Sequence, residues 1–261
     1  MTAIFRITAL LAVAGLATLA APGMPLAQDR PEVLPPSEEP SRVLFVGNSY
    51  FYYGDSLHNH AVRMVRALYP EREFDYKLAA ISGGYLDQQP IDAYLDLGGD
   101  AGYDFVILQG NSGAMLSEKS NARFTAAADH LVERIGARGA ETALYMTPAY
   151  AEGHKRYDPA MTDQISDGYT SEGNRTGALV IPTGRAFALA KERRPEMVLH
   201  KSDHSHPTIL GSYLGAATVV ATLYDASVVG IPYTYEGAIS DEDAAFLQQV
   251  AEDAVNAYFG E

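Results

Sequence analysis

Apolar and polar positions alternate along this chain in two rhythms. Short, nearly unbroken apolar runs rich in β-branched and aromatic residues occupy 42–46, 74–79, 104–108, 142–146 and 178–181. Such runs suit strands covered on both faces. Longer stretches with helical spacing lie between and after them, at 56–68, 118–137, 184–192, 209–224 and 241–259. This alternation predicts an α/β domain whose mainly parallel, five-stranded sheet carries helices on both sides. The stretch 150–177 is polar with scattered glycines and is expected to hold loops plus one helix near a site entrance. No internal repeat is present.

Two N-terminal segments stand apart from this pattern. Residues 1–27 carry one basic residue, Arg6, followed by an apolar run over 7–21 and small residues before Gln28. That is the layout of a secretory signal peptide, cut after Ala27 or alternatively Ala21, and the apolar run is short for a membrane span. Residues 28–41 are rich in proline and glutamate and read as a flexible tether. A single domain is expected over 42–261, because a chain of 261 residues with 47% hydrophobic composition can fill one core of this class. There is no cysteine, so neither a disulfide framework nor a lipid-modified cysteine is expected. The net charge of −14 repels phosphate backbones and anionic membranes, which argues against nucleic acid as a partner and against a stable membrane anchor.

The candidate chemistry lies in two short segments far apart in sequence. Gly47-Asn48-Ser49 follows the first apolar run, where a small residue permits a tight turn at a strand exit. In Asp203-His204-Ser205-His206-Pro207, the three-residue spacing from Asp203 to His206 lets a carboxylate sit beside one imidazole nitrogen and leaves the other for a serine. A hydroxyl needs such a base and orienter to become a useful nucleophile. Two further strand exits carry potential donors for an oxyanion: the amide of Asn111, and a backbone N–H in the loop Ile81-Ser82-Gly83-Gly84. Donors of this kind commonly lower a barrier by about 3 kcal/mol. In a doubly wound sheet these exits converge at the carboxyl edge. Ser82 and Ser112 are rival serines and His204 a rival base. The cluster His200, Asp203, His204 and His206 also permits a metal reading, but no second carboxylate or cysteine cluster completes a ligand set, and no metal is expected. The aromatic run Tyr50-Phe51-Tyr52-Tyr53 suits a compact pocket for a sugar or small acyl ester; Tyr50 and Tyr85 are the candidate substrate contacts.

Taken in order, these pieces resemble the SGNH, or GDSL-like, hydrolase superfamily. Gly47-Asn48-Ser49 stands where the first block is usually Gly-Asp-Ser, Gly83 matches the glycine of the second, Gly110-Asn111-Ser112 the third, and Asp203-x-x-His206-Pro207 the last. Asn48 and Ser112 depart from the aspartates common at their positions. The nucleophile elbow Gly-x-Ser-x-Gly of α/β-hydrolases is absent, since Phe51 occupies its final position. The resemblance implies a flavodoxin-like three-layer α/β/α sandwich and an esterase mechanism without cofactor. It assigns Ser49 as nucleophile, His206 as general base and acid, and Asp203 as its orienter. It also assigns the Ser49 N–H, Gly83 N–H and Asn111 side chain to the oxyanion hole.

The expected function is that of an exported, periplasmic or secreted serine hydrolase. It would cleave a small-molecule or carbohydrate ester, first an O-acetylated carbohydrate and second a short-chain or lipid ester. The alternative from another class is a carbohydrate- or envelope-binding module that keeps the fold without turnover.

Overall fold

The computed structural model describes residues 30–260; the expected leader over 1–27 lies outside the described residues. Five strands form one all-parallel sheet in the order β2-β1-β3-β4-β5: β1 (Arg42–Gly47), β2 (Asp75–Ala80), β3 (Phe105–Gln109), β4 (Glu141–Tyr145) and β5 (Leu179–Ile181). All five expected strands are present, with ends shifted by one residue at most.

The reason their sequences are continuously apolar is that neighbouring residues bury against different layers. Val43 and Phe45 of β1, Phe105 and Ile107 of β3, and Ala143 and Tyr145 of β4 belong to one core. Leu44, Val46, Val106, Leu108 and Leu144 belong to the other. The first core is closed by α2 (Leu57–Leu68), α6 (Thr183–Arg193), α7 (Ile209–Leu223) and α8 (Asp241–Phe259), the second by α3 (Ile91–Asp96), α4 (Glu118–Gly136) and α5 (Met161–Thr176). The result is a three-layer α/β/α sandwich. Helix α7 is apolar nearly all round because α2, α6, α8 and β5 enclose it.

The segment 30–41 is extended, as its prolines dictate, but it lies against the body rather than hanging free. Val33 packs on the first core and Pro40 is buried. Glu39 bonds Tyr69 and Arg72, and Asn174 exchanges hydrogen bonds with Glu32 N–H and Arg30 C=O, both at 2.8 Å. Within 150–177, the helix is α5, which joins the second layer and ends at Gly177 in the left-handed region. No described helix is long and apolar enough to cross a membrane.

The sheet order matters for function. The chain passes from β1 to β2 on one side and then returns to place β3 on the other, so the direction of winding reverses at β1. Loops leaving β1 and β3 diverge at such a point and open a crevice at the carboxyl edge.

Candidate active site

Ser49 begins a four-residue helix, α1 (Ser49–Tyr52), two positions beyond the last residue of β1. Asn48 caps that helix: its Oδ1 accepts from Tyr50 N–H at 3.2 Å. Gly47 is obligatory on steric grounds, since an added Cβ would meet Gln109 Oε1 at 2.6 Å and the Phe51 ring at 2.9 Å. Ser56 occupies the cap position of α2, but its hydroxyl donates back to Tyr52 C=O instead of capping.

Asp203 and His206 lie in a loop ahead of α7 that has no helix or strand of its own. A two-residue bridge between His200 and Pro207 closes its base, with Lys201 N–H bonding His206 C=O at 2.8 Å. Inside the turn, one oxygen of Asp203 accepts both the Ser205 and His206 N–H groups at 3.0 Å. Its other oxygen meets His206 Nδ1 at 2.7 Å. Partial burial works to raise the Asp203 pKa, but the His206 ring and these two N–H donors outweigh it and bring it to about 2. Asp203 is therefore an ionised acceptor at neutral pH. That fixes the tautomer: Nδ1 carries the proton, and Nε2 is left as an acceptor.

The structure brings Ser49 to that acceptor. Ser49 Oγ and His206 Nε2 are 2.8 Å apart although the residues are 157 positions apart in sequence. The rival base His204 adopts positive φ, and its ring lies over Gly153. The His206 ring is held by aromatic contacts: Tyr53 stacks on it at 4.2 Å between centroids, and Tyr50 lies at 5.5 Å.

The three proposed oxyanion donors follow adjacent strands. Gly47 pairs with Ala80 and Val46 with Leu108, so Ser49, Gly83 and Asn111 leave β1, β2 and β3 at the same edge. Asn111 Oδ1 accepts from Gly113 N–H at 3.1 Å, which turns the amide nitrogen away from that bond. Among the described residues, Asn111 Nδ2 and the Ser49 and Gly83 N–H groups have no hydrogen-bond partner, unlike the neighbouring Gly84 N–H, which bonds Ile81 C=O. Gly83 has positive φ and would tolerate no ordinary side chain without strain.

The two expected substrate contacts differ from each other. Tyr50 is only 4% exposed; its hydroxyl is bonded to Ser205 Oγ at 2.7 Å, and burial pushes it well above the usual tyrosine range. It supports the His206 loop and presents little surface to a ligand. Tyr85 is 37% exposed, with the Arg123 guanidinium 3.6 Å from its ring centroid. Contacts that sequence reasoning did not single out are Tyr53 against His206, and Tyr150, whose hydroxyl bonds Ser112 Oγ at 2.9 Å. The aromatic run 50–53 was the available signal for Tyr53; nothing local marks Tyr150. A groove of about 940 Å³ opens elsewhere, between α5, α6 and the end of α8, and none of the residues named for chemistry lines it.

No family model matches the chain, and no curated protein matches it. Solved structures do. A DUF4886 family protein from Bacteroides uniformis superposes with a TM-score of 0.64 at 20% identity, covering 82% of this chain and 93% of its own. A protein described as a candidate SGNH hydrolase, from Slackia heliotrinireducens, superposes at 0.57 with 20% identity, covering 69% of this chain and 97% of its own. The chain has the SGNH-hydrolase fold. The acetylxylan esterase Axe2 of Geobacillus stearothermophilus is a further match, at 0.53 and 18% identity, covering 71% and 97%. On this SGNH fold, Ser49 and His206 meet at the carboxyl edge of the sheet, where open α/β sheets hold their ligands.

Proposed function

We propose that this protein is an exported serine esterase that removes a short acyl group, most directly acetyl, from a carbohydrate ester. The observation that carries the reading is the hydrogen-bonded row Ser49 Oγ, His206 Nε2, His206 Nδ1 and Asp203 Oδ2, with links of 2.8 and 2.7 Å. In the first half-reaction Ser49 Oγ attacks the ester carbonyl while Nε2 takes its proton. The tetrahedral oxyanion forms beside the Ser49 N–H, Gly83 N–H and Asn111 Nδ2, donors with no competing partner. As the intermediate collapses, Nε2 returns the proton to the leaving alkoxide. Water, deprotonated at the same nitrogen, then attacks the acyl-enzyme; as the acyl–Oγ bond breaks, Nε2 returns that proton to Ser49 Oγ and the carboxylic acid leaves. Asp203 keeps Nδ1 protonated and stabilises the imidazolium throughout.

Support for a carbohydrate ester comes from neighbours on the same fold that are named acetylxylan esterases. Support for export comes from the leader-like residues 1–27. The test is hydrolysis of p-nitrophenyl acetate, butyrate and octanoate, and of acetylated xylo-oligosaccharide, by the wild type and Ser49→Ala. Acetyl preference and a loss of at least about 10⁴-fold in Ser49→Ala are expected. Undiminished activity in that variant overturns the reading. A folded wild type that binds acetylated glycan but neither turns over any ester nor reacts with a fluorophosphonate is instead a binding module.

A further inference from the structure

Asn48 departs from the aspartate usual beside the nucleophile, and its surroundings show what the change does. It is 2% exposed. Its Oδ1 is engaged by Tyr50 N–H, so its Nδ2 points the other way, to Gly84 C=O at 3.0 Å and Gly110 C=O at 3.4 Å. Its own N–H donates to Gln109 Oε1 at 3.0 Å, and Gln109 Nε2 bonds Gly110 C=O. On the opposite side of β1, Gln89 Nε2 donates to Gly47 C=O at 3.0 Å. Side-chain amides thus continue the sheet's cross-links beyond the last paired residues, Gly47 with Ala80 and Val46 with Leu108.

Each group that Asn48 grips is next to an oxyanion donor. Ser49 follows Asn48, Gly84 follows Gly83, and Gly110 precedes Asn111. We infer that Asn48 is a positioning residue: its amide sets the spacing of the Ser49, Gly83 and Asn111 donors by tying the loops after β2 and β3 to the nucleophile turn.

The chemistry requires an amide. A carboxylate at this position would still cap α1, but its second oxygen would face two carbonyl oxygens at hydrogen-bond distance, at a residue only 2% exposed to solvent. The loops would separate or the acid would bind a proton. A protonated acid keeps one donor where the amide has two, so in either case at least one loop is released; displacement of a donor by about 1 Å can cost about 100-fold in rate.

This inference rests on the esterase reading, and Ser49→Ala separates the two. If wild-type ester hydrolysis does not depend on Ser49, the esterase reading fails; if it does, the Asn48 variants decide the rest. Steady-state kinetics on p-nitrophenyl acetate, inhibition by butylboronic acid, and thermal unfolding are measured for Asn48→Asp, Asn48→Ala, Asn111→Ala and Asn48→Ala/Asn111→Ala. We expect Asn48→Asp to lower kcat about 100-fold with KM changed less than about threefold, and to weaken boronate binding in step with kcat. The double variant is expected to be scarcely slower than Asn111→Ala, since the strut has less to position once a donor is gone. Wild-type kcat in Asn48→Asp, a double variant whose loss equals the product of the single losses, or a loss that tracks the unfolded fraction overturns the inference. Failure of both Asn48 single variants to fold overturns it too, marking Asn48 as a folding residue.

Discussion

Ser49 sits at the end of a strand buried on both faces, in a turn braced by Asn48, Gln89 and Gln109, three side-chain amides that are almost wholly buried. Asp203 sits half exposed in a loop whose shape comes from its own carboxylate accepting two N–H groups within three residues. The Ser49 half of the candidate site is thus positioned by the sheet, and the His206 half by the Asp203 carboxylate within its own loop together with the His200–Pro207 bridge and the rings of Tyr50 and Tyr53. Mutation should therefore separate chemistry from folding in different ways on the two sides. Displacing the nucleophile turn strains the core, whereas the base loop can change with the core intact.

Two substitutions of Asp203 cut this comparison most deeply. Asp203→Asn keeps an oxygen for the Ser205 and His206 N–H groups but offers no acceptor to Nδ1 if that oxygen stays where it is. kcat should fall by about 10³- to 10⁴-fold with the melting temperature close to wild type. Asp203→Ala also removes the turn's internal acceptor, so it should additionally make the 200–207 loop more sensitive to limited proteolysis. Equal protease sensitivity in the two variants would show that the bridge between His200 and Pro207 shapes the loop without Asp203.

The pH profile sharpens the same point. Because the Asp203 carboxyl is lowered to about 2, it does not contribute to the acid limb, and loss of activity there should involve a single proton. log kcat/KM should then rise with unit slope, tenfold per pH unit; a slope of two would mean that a second group, in the nucleophile half, titrates with it.

A smaller effect is expected from Tyr53→Ala. The Tyr53 ring stacked on His206 is, with Tyr50, one of two aromatic supports linking the two halves, and such pairs contribute about 0.5–1.5 kcal/mol. kcat should drop by up to about tenfold with little change in KM. An unaltered kcat would leave the orientation of His206 to Asp203 and Tyr50.

The smallest effect is on stability, through one partly buried histidine behind each half. His58, on α2 against Phe45, and His200, against Phe187, are both lowered to about 4, chiefly by desolvation. The folded protein keeps them neutral, while the unfolded chain takes up protons below about pH 6.5. Their contribution is complete above that pH and is lost as pH falls toward 4. Asp203 has the same sign in a lower window, its contribution being lost only as pH falls from about 4 toward 2. The melting temperature should drop by about 5 °C or more between pH 7 and 4.5, and His58→Gln should flatten the slope. A flat wild-type profile would contradict the burial of these rings.

Much of the fold could be read in the sequence because strands covered on both faces leave no polar alternation to confuse them. The elements it missed had other causes. Helix α1 is four residues long and exists because Asn48 caps it, and α3 is a short turn after Pro90. Helix α5 was expected within 150–177 but without bounds, because its buried face carries polar residues: Glu172 bonds Thr125 and pairs with Arg175, while Thr170 bonds Tyr258. The segment 30–41 read as a free tether because its partners, Tyr69, Arg72 and Asn174, are remote in sequence.

Local spacing was enough to reveal the order of the strands and main helices, the turn glycine before Ser49, and the Asp203–His206 pair, whose contact spans three residues. What depends on long-range closure came only with the assembled fold. It set Ser49 against Nε2 of His206 across 157 residues, withdrew Tyr50 from the surface, and pointed the Asn48 amide at two loops from neighbouring strands. Those contacts form between chain segments that meet only when the sheet is assembled, so no window of sequence contains them.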